Sequence, residues 1–346
     1  MLLVVFGAGA SYDSAPTYRP EWGGRAERPP LASQLFTDKP RFAFALQEFS
    51  ECQPLVPFLR HPPGGVTVEE LLQKYQEEAS SDSQRYPQLA AIRYYLQRIL
   101  GSDQQNEWDG VHRGVTNYKT LLEELRHWRL SSGEKVCLVT FNYDTMLEAA
   151  SGVVGVHIKD ISDYVSNENY KIIKVHGSVH WVRELNTPVD SFSTEERGMI
   201  HGLIERAATL DISNRFHISH TYWPAELPRR NNKRIGVVPA IAIPVVSKSS
   251  FECPEEHLNV LLKSLSEVTK IVTIGWRAKE EHFLDLLSKQ PGQGARVMVV
   301  ANDENEAKQI CLDLSQRGIG REFFQARGGF SNTIVISEIS QFLIRQ

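Results

Sequence analysis

The chain has 346 residues, with 38 Lys and Arg against 42 Asp and Glu, a net charge of −4, and 41% hydrophobic residues. This is ordinary globular composition, which excludes bulk disorder and fibrous repeats, and the near-neutral balance argues against a strongly basic nucleic-acid binder. Cys52, Cys137, Cys253 and Cys311 lie far apart with no CxxC pair, so reduced thiols in a cytoplasmic setting are expected, with no zinc site.

The first apolar run, Leu2–Phe6, is far too short to span a membrane and lacks the flanks of a leader. A soluble protein is expected. Further short, β-branched runs follow at 136–141, 153–158, 171–175, 235–243, 270–274, 296–300 and 333–336. Their continuous apolar character predicts strands buried on both faces. Helical patterns at 280–289 and 304–316 alternate with the later runs, so the expected fold is α/β: a Rossmann-like, mostly parallel sheet with helices on both faces. Two stretches interrupt that rhythm. Residues 34–130 show helical patterns only, including the capping box Thr67-Val-Glu-Glu70 and the stripe Leu89, Ile92, Leu96, Ile99 and Leu100. We read them as a helical insertion in one domain spanning 1–346. Residues 185–234 are more polar, carry a second capping box at Ser193-Thr-Glu-Glu196, and read as a smaller, partly helical excursion.

Candidate functional residues fall where runs end. Phe6-Gly-Ala-Gly-Ala-Ser11 follows the first strand, and glycines at 7 and 9 permit a tight turn that admits a pyrophosphate. Tyr12 stands where GxGxxG would place its third glycine, and a ligand-free turn is the plainer alternative. In Thr140-Phe-Asn-Tyr-Asp144, Asn142 and Asp144 face the same way if extended, and the pair suits a ribose or carboxamide. An Asx turn with a helix cap accounts for them equally. His176, closing the run at 171–175, suits a general base near neutral pH, and Gly177 would clear space for substrate. Gly275 and Asn302 end two later runs, where simple turn chemistry is the competing account.

In combination and in this order, GAGAS, TxNxD, HG, a strand-end glycine and a strand-end asparagine resemble the sirtuin family, in its SIR2-like branch of bacterial antiphage defence proteins. The resemblance runs from the first strand to about residue 303. It implies that Gly7, Ala8, Gly9, Ala10 and Ser11 hold NAD phosphates and ribose. It implies that Asn142 and Asp144 order the catalytic water and nicotinamide site, and that His176, followed by Gly177, works on the nicotinamide ribose. Gly275 and Asn302 match the strand ends that contact the adenosine half. The two CxxC pairs of protein-deacylating sirtuins have no counterpart, Phe141 stands where their motif has glutamine, and Arg19 is a shifted stand-in for their cofactor-loop arginine.

The expected function is therefore an NAD hydrolase that releases nicotinamide and linear or cyclic ADP-ribose, with Asn142, His176 and Asp144 catalytic and no metal. Implied with it are a role as NAD-depleting effector, self-association through the helical insertion, and activation by a HerA-type ATPase or Argonaute-like partner. The alternatives are an assembly protein that binds NAD or ADP-ribose without turnover and, third, a protein deacylase.

Overall fold

The computed structural model describes residues 1–14, 29–101, 116–188, 196–219, 229–230, 233–245, 251–289 and 294–345. In chain order its strands are β1 (Leu2–Phe6), β2 (Val136–Thr140), β3 (Tyr170–Lys174), β4 (Gly177–Pro188) and β5 (Ile212–Ile218). Then come β6 (Arg229–Arg230), β7 (Lys233–Ile241), β8 (Lys270–Ile274), β9 (Arg296–Val300) and β10 (Glu322–Gln325). The chain divides into two compact units.

The first unit draws on residues 1–29, 106–176 and 247–346. Its six strands form a wholly parallel sheet in the order β10-β9-β8-β1-β2-β3. This is the expected α/β architecture. Every residue of β1, β2 and β9 is buried. Such burial stabilises by about 1.5–3 kcal/mol for each large aliphatic side chain, which is why runs of Val, Leu and Ile were chosen over an alternating pattern. The register puts Phe6, Thr140, Lys174, Ile274 and Val300 in one row across five strands. Strand order reverses beside β1: β2 and β3 lie on one side, β8, β9 and β10 on the other. In doubly wound sheets the crevice outside the carboxyl ends at such a reversal receives ligands.

The second unit draws on residues 30–105 and 177–246. Helices Pro40–Glu48, Val56–Arg60, Val68–Glu78, Arg85–Leu100 and Glu196–Glu205 accompany an antiparallel sheet in the order β5-β4-β7-β6. The Thr67 capping box forms: the Glu70 amide donates to Thr67 Oγ1 at 3.2 Å and the Thr67 amide to Glu70 Oε2 at 2.6 Å. The helix Asn117–Ser132, by contrast, belongs to the first unit. The second proposed box begins at Ser193, outside the described residues.

Several strand expectations need correction. Residues 153–158 form a short 3-10 turn, Gly152–Val154, and a loop, closed by the Ser151 hydroxyl donating to the Val156 carbonyl at 2.9 Å. Residues 333–336 enter the helix Val335–Ile344, and the last strand is β10 instead. The run at 235–243 lies in β7 of the antiparallel sheet, and 185–234 carries strand as well as helix. Apolar runs record burial, which a packed helix and a strand of either direction satisfy alike.

Candidate functional site

The carboxyl edge of the parallel sheet collects most of the marked residues of the first unit. The turn after β1 lies directly on the turn after β8: the Gly7 amide donates to the Ile274 carbonyl at 3.0 Å and the Gly9 amide to the Gly275 carbonyl at 3.2 Å. A Cβ on Gly7 would stand 2.4 Å from the Gly275 carbonyl oxygen, and one on Gly9 2.9 Å from the Gly275 Cα. Gly275 itself has φ +57°, and a Cβ there would meet the Ala10 nitrogen at 2.4 Å. These glycines are thus demanded by turn-on-turn packing, before any ligand is considered.

Asn142, at the end of β2, braces the same turn. Its Nδ2 donates to the Gly7 carbonyl at 2.8 Å and to Ser11 Oγ at 2.9 Å, with Tyr118 Oη at 3.2 Å. Two amide hydrogens face three acceptors, so this end of the side chain is fully engaged within the protein. Ser11 Oγ and Tyr118 Oη lie 3.0 Å apart and share a further hydrogen bond. Burial pushes the Tyr118 phenol well above its ordinary value, and the nearby Asp144 charge pushes it the same way, so it stays protonated. In sequence Tyr118 is one apolar position among the helical patterns of 34–130, and nothing there marks its polar role. Its neighbour Asn117 donates from Nδ2 to the Asp13 carbonyl at 3.0 Å and the Phe330 carbonyl at 2.9 Å, tying two loops to the helix Asn117–Ser132.

Asp144 sits one turn on. Its Oδ1 accepts from the Met146 amide at 3.0 Å, which is the Asx-turn role, and its carbonyl accepts from Lys174 Nζ at 2.5 Å. Lys174 is wholly buried and pairs with Glu148 at 2.9 Å, while the Tyr164 hydroxyl donates to the same carboxylate at 3.0 Å. This buried charge lay hidden in the apolar run of β3.

His176 follows β3 and is 5% exposed. Its ring meets Phe141 edge-on at 4.9 Å and stacks loosely on Tyr143 at 6.3 Å and His282 at 6.2 Å. Phe141 in turn stacks on Trp276 at 5.6 Å with rings 4° from parallel, and Phe251 lies 4.3 Å from His282. Phe141 thus anchors an aromatic cluster around His176. Nothing in sequence ties Trp276, His282 and Phe251 to His176, because they come from two stretches 75 or more residues further along the chain.

Asn302 ends β9 and is exposed. A Cβ on Gly329 would meet Asp13 Oδ2 at 2.9 Å and Asn302 Oδ1 at 3.1 Å, so an amide and a carboxylate converge there. The helix Ala8–Ser14 starts directly after Gly7, with Ala8 exposed at its first position and Ala10 buried. Gly177 opens β4 in the second unit with φ +79°, and a Cβ there would lie 2.0 Å from the Ala240 carbonyl oxygen. Its space is filled by backbone. Arg19 lies outside the described residues.

Burial pushes the thiols of Cys52, Cys137 and Cys253 up to about 12, which keeps them protonated at neutral pH. Among the described residues, no group of three or more His, Cys, Asp or Glu is placed to hold a metal ion. No described helix is long and apolar enough to cross a membrane.

No family model and no curated protein matches the chain. Among solved structures, it is similar to a Sir2 homolog–NAD complex at 14% identity and TM-score 0.42, covering 99% of this chain and 88% of that one. A Sir2 homologue triple mutant in complex with 2′-O-acetyl-ADP-ribose gives 14% identity and TM-score 0.44, covering 100% and 94%. Sir2 bound to an acetylated peptide gives 12% identity and TM-score 0.36, covering 99% and 92%.

Proposed function

We propose that the carboxyl edge of the parallel sheet binds NAD and hydrolyses its nicotinamide–ribose bond. The observation that carries this reading is the buried His176 amid aromatic rings, at the end of a strand whose row also bears the 7–11 turn and Asn142. Nicotinamide in NAD is a pyridinium cation, and aromatic faces attract cations. In the reaction the glycosidic C–N bond breaks, its electron pair neutralises the departing nicotinamide, and water adds to the anomeric carbon. That carbon gains oxocarbenium character on the way. His176 polarises a ribose hydroxyl or takes the proton of the water.

The chain also fits the rest of the dinucleotide, with a changed division of labour. The amides of Gly7, Gly9 and Ala10 donate to the Ile274, Gly275 and Gly7 carbonyls, so these three are occupied within the protein. Ala8, exposed at the start of the helix Ala8–Ser14, is the residue left to meet phosphate, Ser11 being buried against Asn142 and Tyr118, while Asn302 and Asp13 suit adenosine ribose hydroxyls. Asn142 holds the turn in shape through Gly7 and Ser11. Asp144 positions the following helix. On the resemblance, the wider proposal is an NAD-depleting effector of antiphage defence. It self-associates, has low basal activity, and is released by a HerA-type ATPase or Argonaute-like partner.

Nicotinamide release followed by chromatography, with NAD affinity measured by calorimetry, tests this reading. His176→Ala should lose about 10²–10⁴-fold in rate with affinity nearly kept, whereas Asn142→Ala should lose both. Release at the wild-type rate from His176→Ala would overturn the assignment. The engagement of Asn142 within the protein favours a second reading, binding without turnover, and NAD binding with no nicotinamide release by the activated protein would establish it. Release only when an acylated peptide is added would establish deacylation instead.

A further inference from the structure

The second unit holds a cavity that takes no part in the proposed NAD chemistry. Its volume is about 400 Å³, within the range of roughly 300–1,000 Å³ typical of small-molecule sites. Leu89, Leu203, Leu210 and Val238 supply apolar walls from two helical segments and the antiparallel sheet. The helix Arg85–Leu100 adds two consecutive polar residues, Arg93 and Tyr94.

Both are unusual in the same way. Tyr94 is 2% exposed, and its hydroxyl has no hydrogen-bond partner among the described residues. Nε of Arg93 is likewise buried without an acceptor. No carboxylate is present among the described lining residues to balance the guanidinium. Buried polar groups in folded proteins are nearly always paired; Arg93 as a whole is half-buried, and it is its Nε that is enclosed. Burial pushes the Tyr94 phenol above its ordinary value, so it remains a proton donor. Two donors, one of them on a cationic side chain, thus line a largely apolar space that Gln76, Ser80 and Tyr86 also border, and neither Arg93 Nε nor the Tyr94 hydroxyl has a partner among the described residues.

We propose that this cavity binds a small apolar carboxylic acid, its carboxylate facing Arg93 and the Tyr94 hydroxyl and its hydrocarbon body against the leucine walls. An ionised carboxylate accepts from both donors at once, and a guanidinium matches its geometry. A phosphate would satisfy the donors but leave the apolar walls unfilled, and a neutral hydrocarbon would do the reverse.

Octanoate and octanol are the probes, titrated calorimetrically into the full chain. Wild-type protein should bind octanoate saturably at one site, and octanol about tenfold or more weakly. Arg93→Gln should weaken octanoate binding by about ten- to hundredfold, as loss of a hydrogen bond to a charged group implies. Tyr94→Phe should weaken it less, yet leave thermal unfolding of the free protein unharmed, because it deletes an unpartnered hydroxyl rather than a bond. This variant keeps the ring and fills the same space, so it serves even if Arg93→Gln folds poorly. Ala90→Phe, on the lining, should block both probes. Absence of saturable octanoate binding by folded wild-type protein overturns the proposal, as does equal affinity for octanol or undiminished octanoate binding by Tyr94→Phe and Arg93→Gln.

Discussion

In the parallel sheet of the first unit, β1, β2 and β9 bury all five of their residues. In the antiparallel sheet of the second, β5 buries Ser213 alone and carries exposed Asn214, Arg215 and His217. The two units handle charge differently as a result. The first encloses Lys174 completely and gives it Glu148 at 2.9 Å. The second sets Glu184 on a sheet face, where Arg215 meets one oxygen at 2.5 Å and His217 the other at 2.7 Å, with both partners about half exposed. A charge pair sealed off from water and one that water still screens should respond very differently to loss of a partner.

The largest expected effect is therefore at Lys174. Lys174→Met leaves Glu148 buried with its charge uncompensated, and should cost about 3–5 kcal/mol in urea unfolding. Adding Glu148→Leu should restore much of that loss, because an apolar pair removes the stranded charge. Arg215→Ala, its counterpart in the second unit, should cost only about 1 kcal/mol, since Arg215 is half exposed and His217 remains hydrogen-bonded to Glu184. Equal losses at the two sites would erase the contrast between the units.

Backbone packing at the site ranks next. Gly275→Ala must place a methyl 2.4 Å from the Ala10 nitrogen on a residue with φ +57°, and should cost about 2–3 kcal/mol. The turn after β1 must shift with it, so NAD affinity should fall in the same variant. A variant of unchanged stability and affinity would show that the two turns are not in contact in solution.

The same contrast explains what could be read from sequence. The strands β1, β2, β3, β8 and β9, buried along all or nearly all their length, announce themselves as apolar runs, whereas the reversal of strand order at β1 that locates the crevice is set by long-range pairing and has no signal in the runs. The edge strand β10 exposes Glu322 and Gln325 and has no such run. β4 and β5 mix buried aromatic and charged positions, because one face of an antiparallel sheet meets water. Strand-end residues were legible because turn chemistry and ligand chemistry use the same small polar set. Tyr118, Lys174 and the rings around His176 were not, since their roles come from long-range packing. The glycines were recognised for a permissive geometry, but the partner that requires it is Gly275 rather than a phosphate alone.

Tyr118 provides a smaller test of the site's brace. Tyr118→Phe keeps the ring contacts to Phe6 at 5.2 Å and Phe330 at 5.9 Å and removes only the hydroxyl shared with Ser11 and Asn142. About 1 kcal/mol of stability should be lost. A fall in NAD affinity beside it would show that the brace acts on binding. An unchanged affinity would assign the hydroxyl to folding alone.

The smallest effect is in the response to acid, and it compares the units directly. Burial alone would raise the Glu134 carboxyl. Hydrogen bonds from Lys270 at 2.8 Å and from the amino terminus at 3.0 Å outweigh it and hold the group below its ordinary 4.5. Glu184 is also held low: burial raises it, and Arg215 and His217 reverse the sign. A carboxylate whose folded pKa lies below its unfolded one adds stability above the unfolded value, and that stability is lost as pH falls through the folded value. Lys270→Met should therefore destabilise slightly at pH 7, with the difference from wild type shrinking as Glu134 protonates below about 4.5. Arg215→Ala should behave alike in the second unit. Urea unfolding at pH 7, 5 and 3 measures both, and a difference that stays constant with pH would mean that the pairs act through packing of the side-chain stems and not through charge.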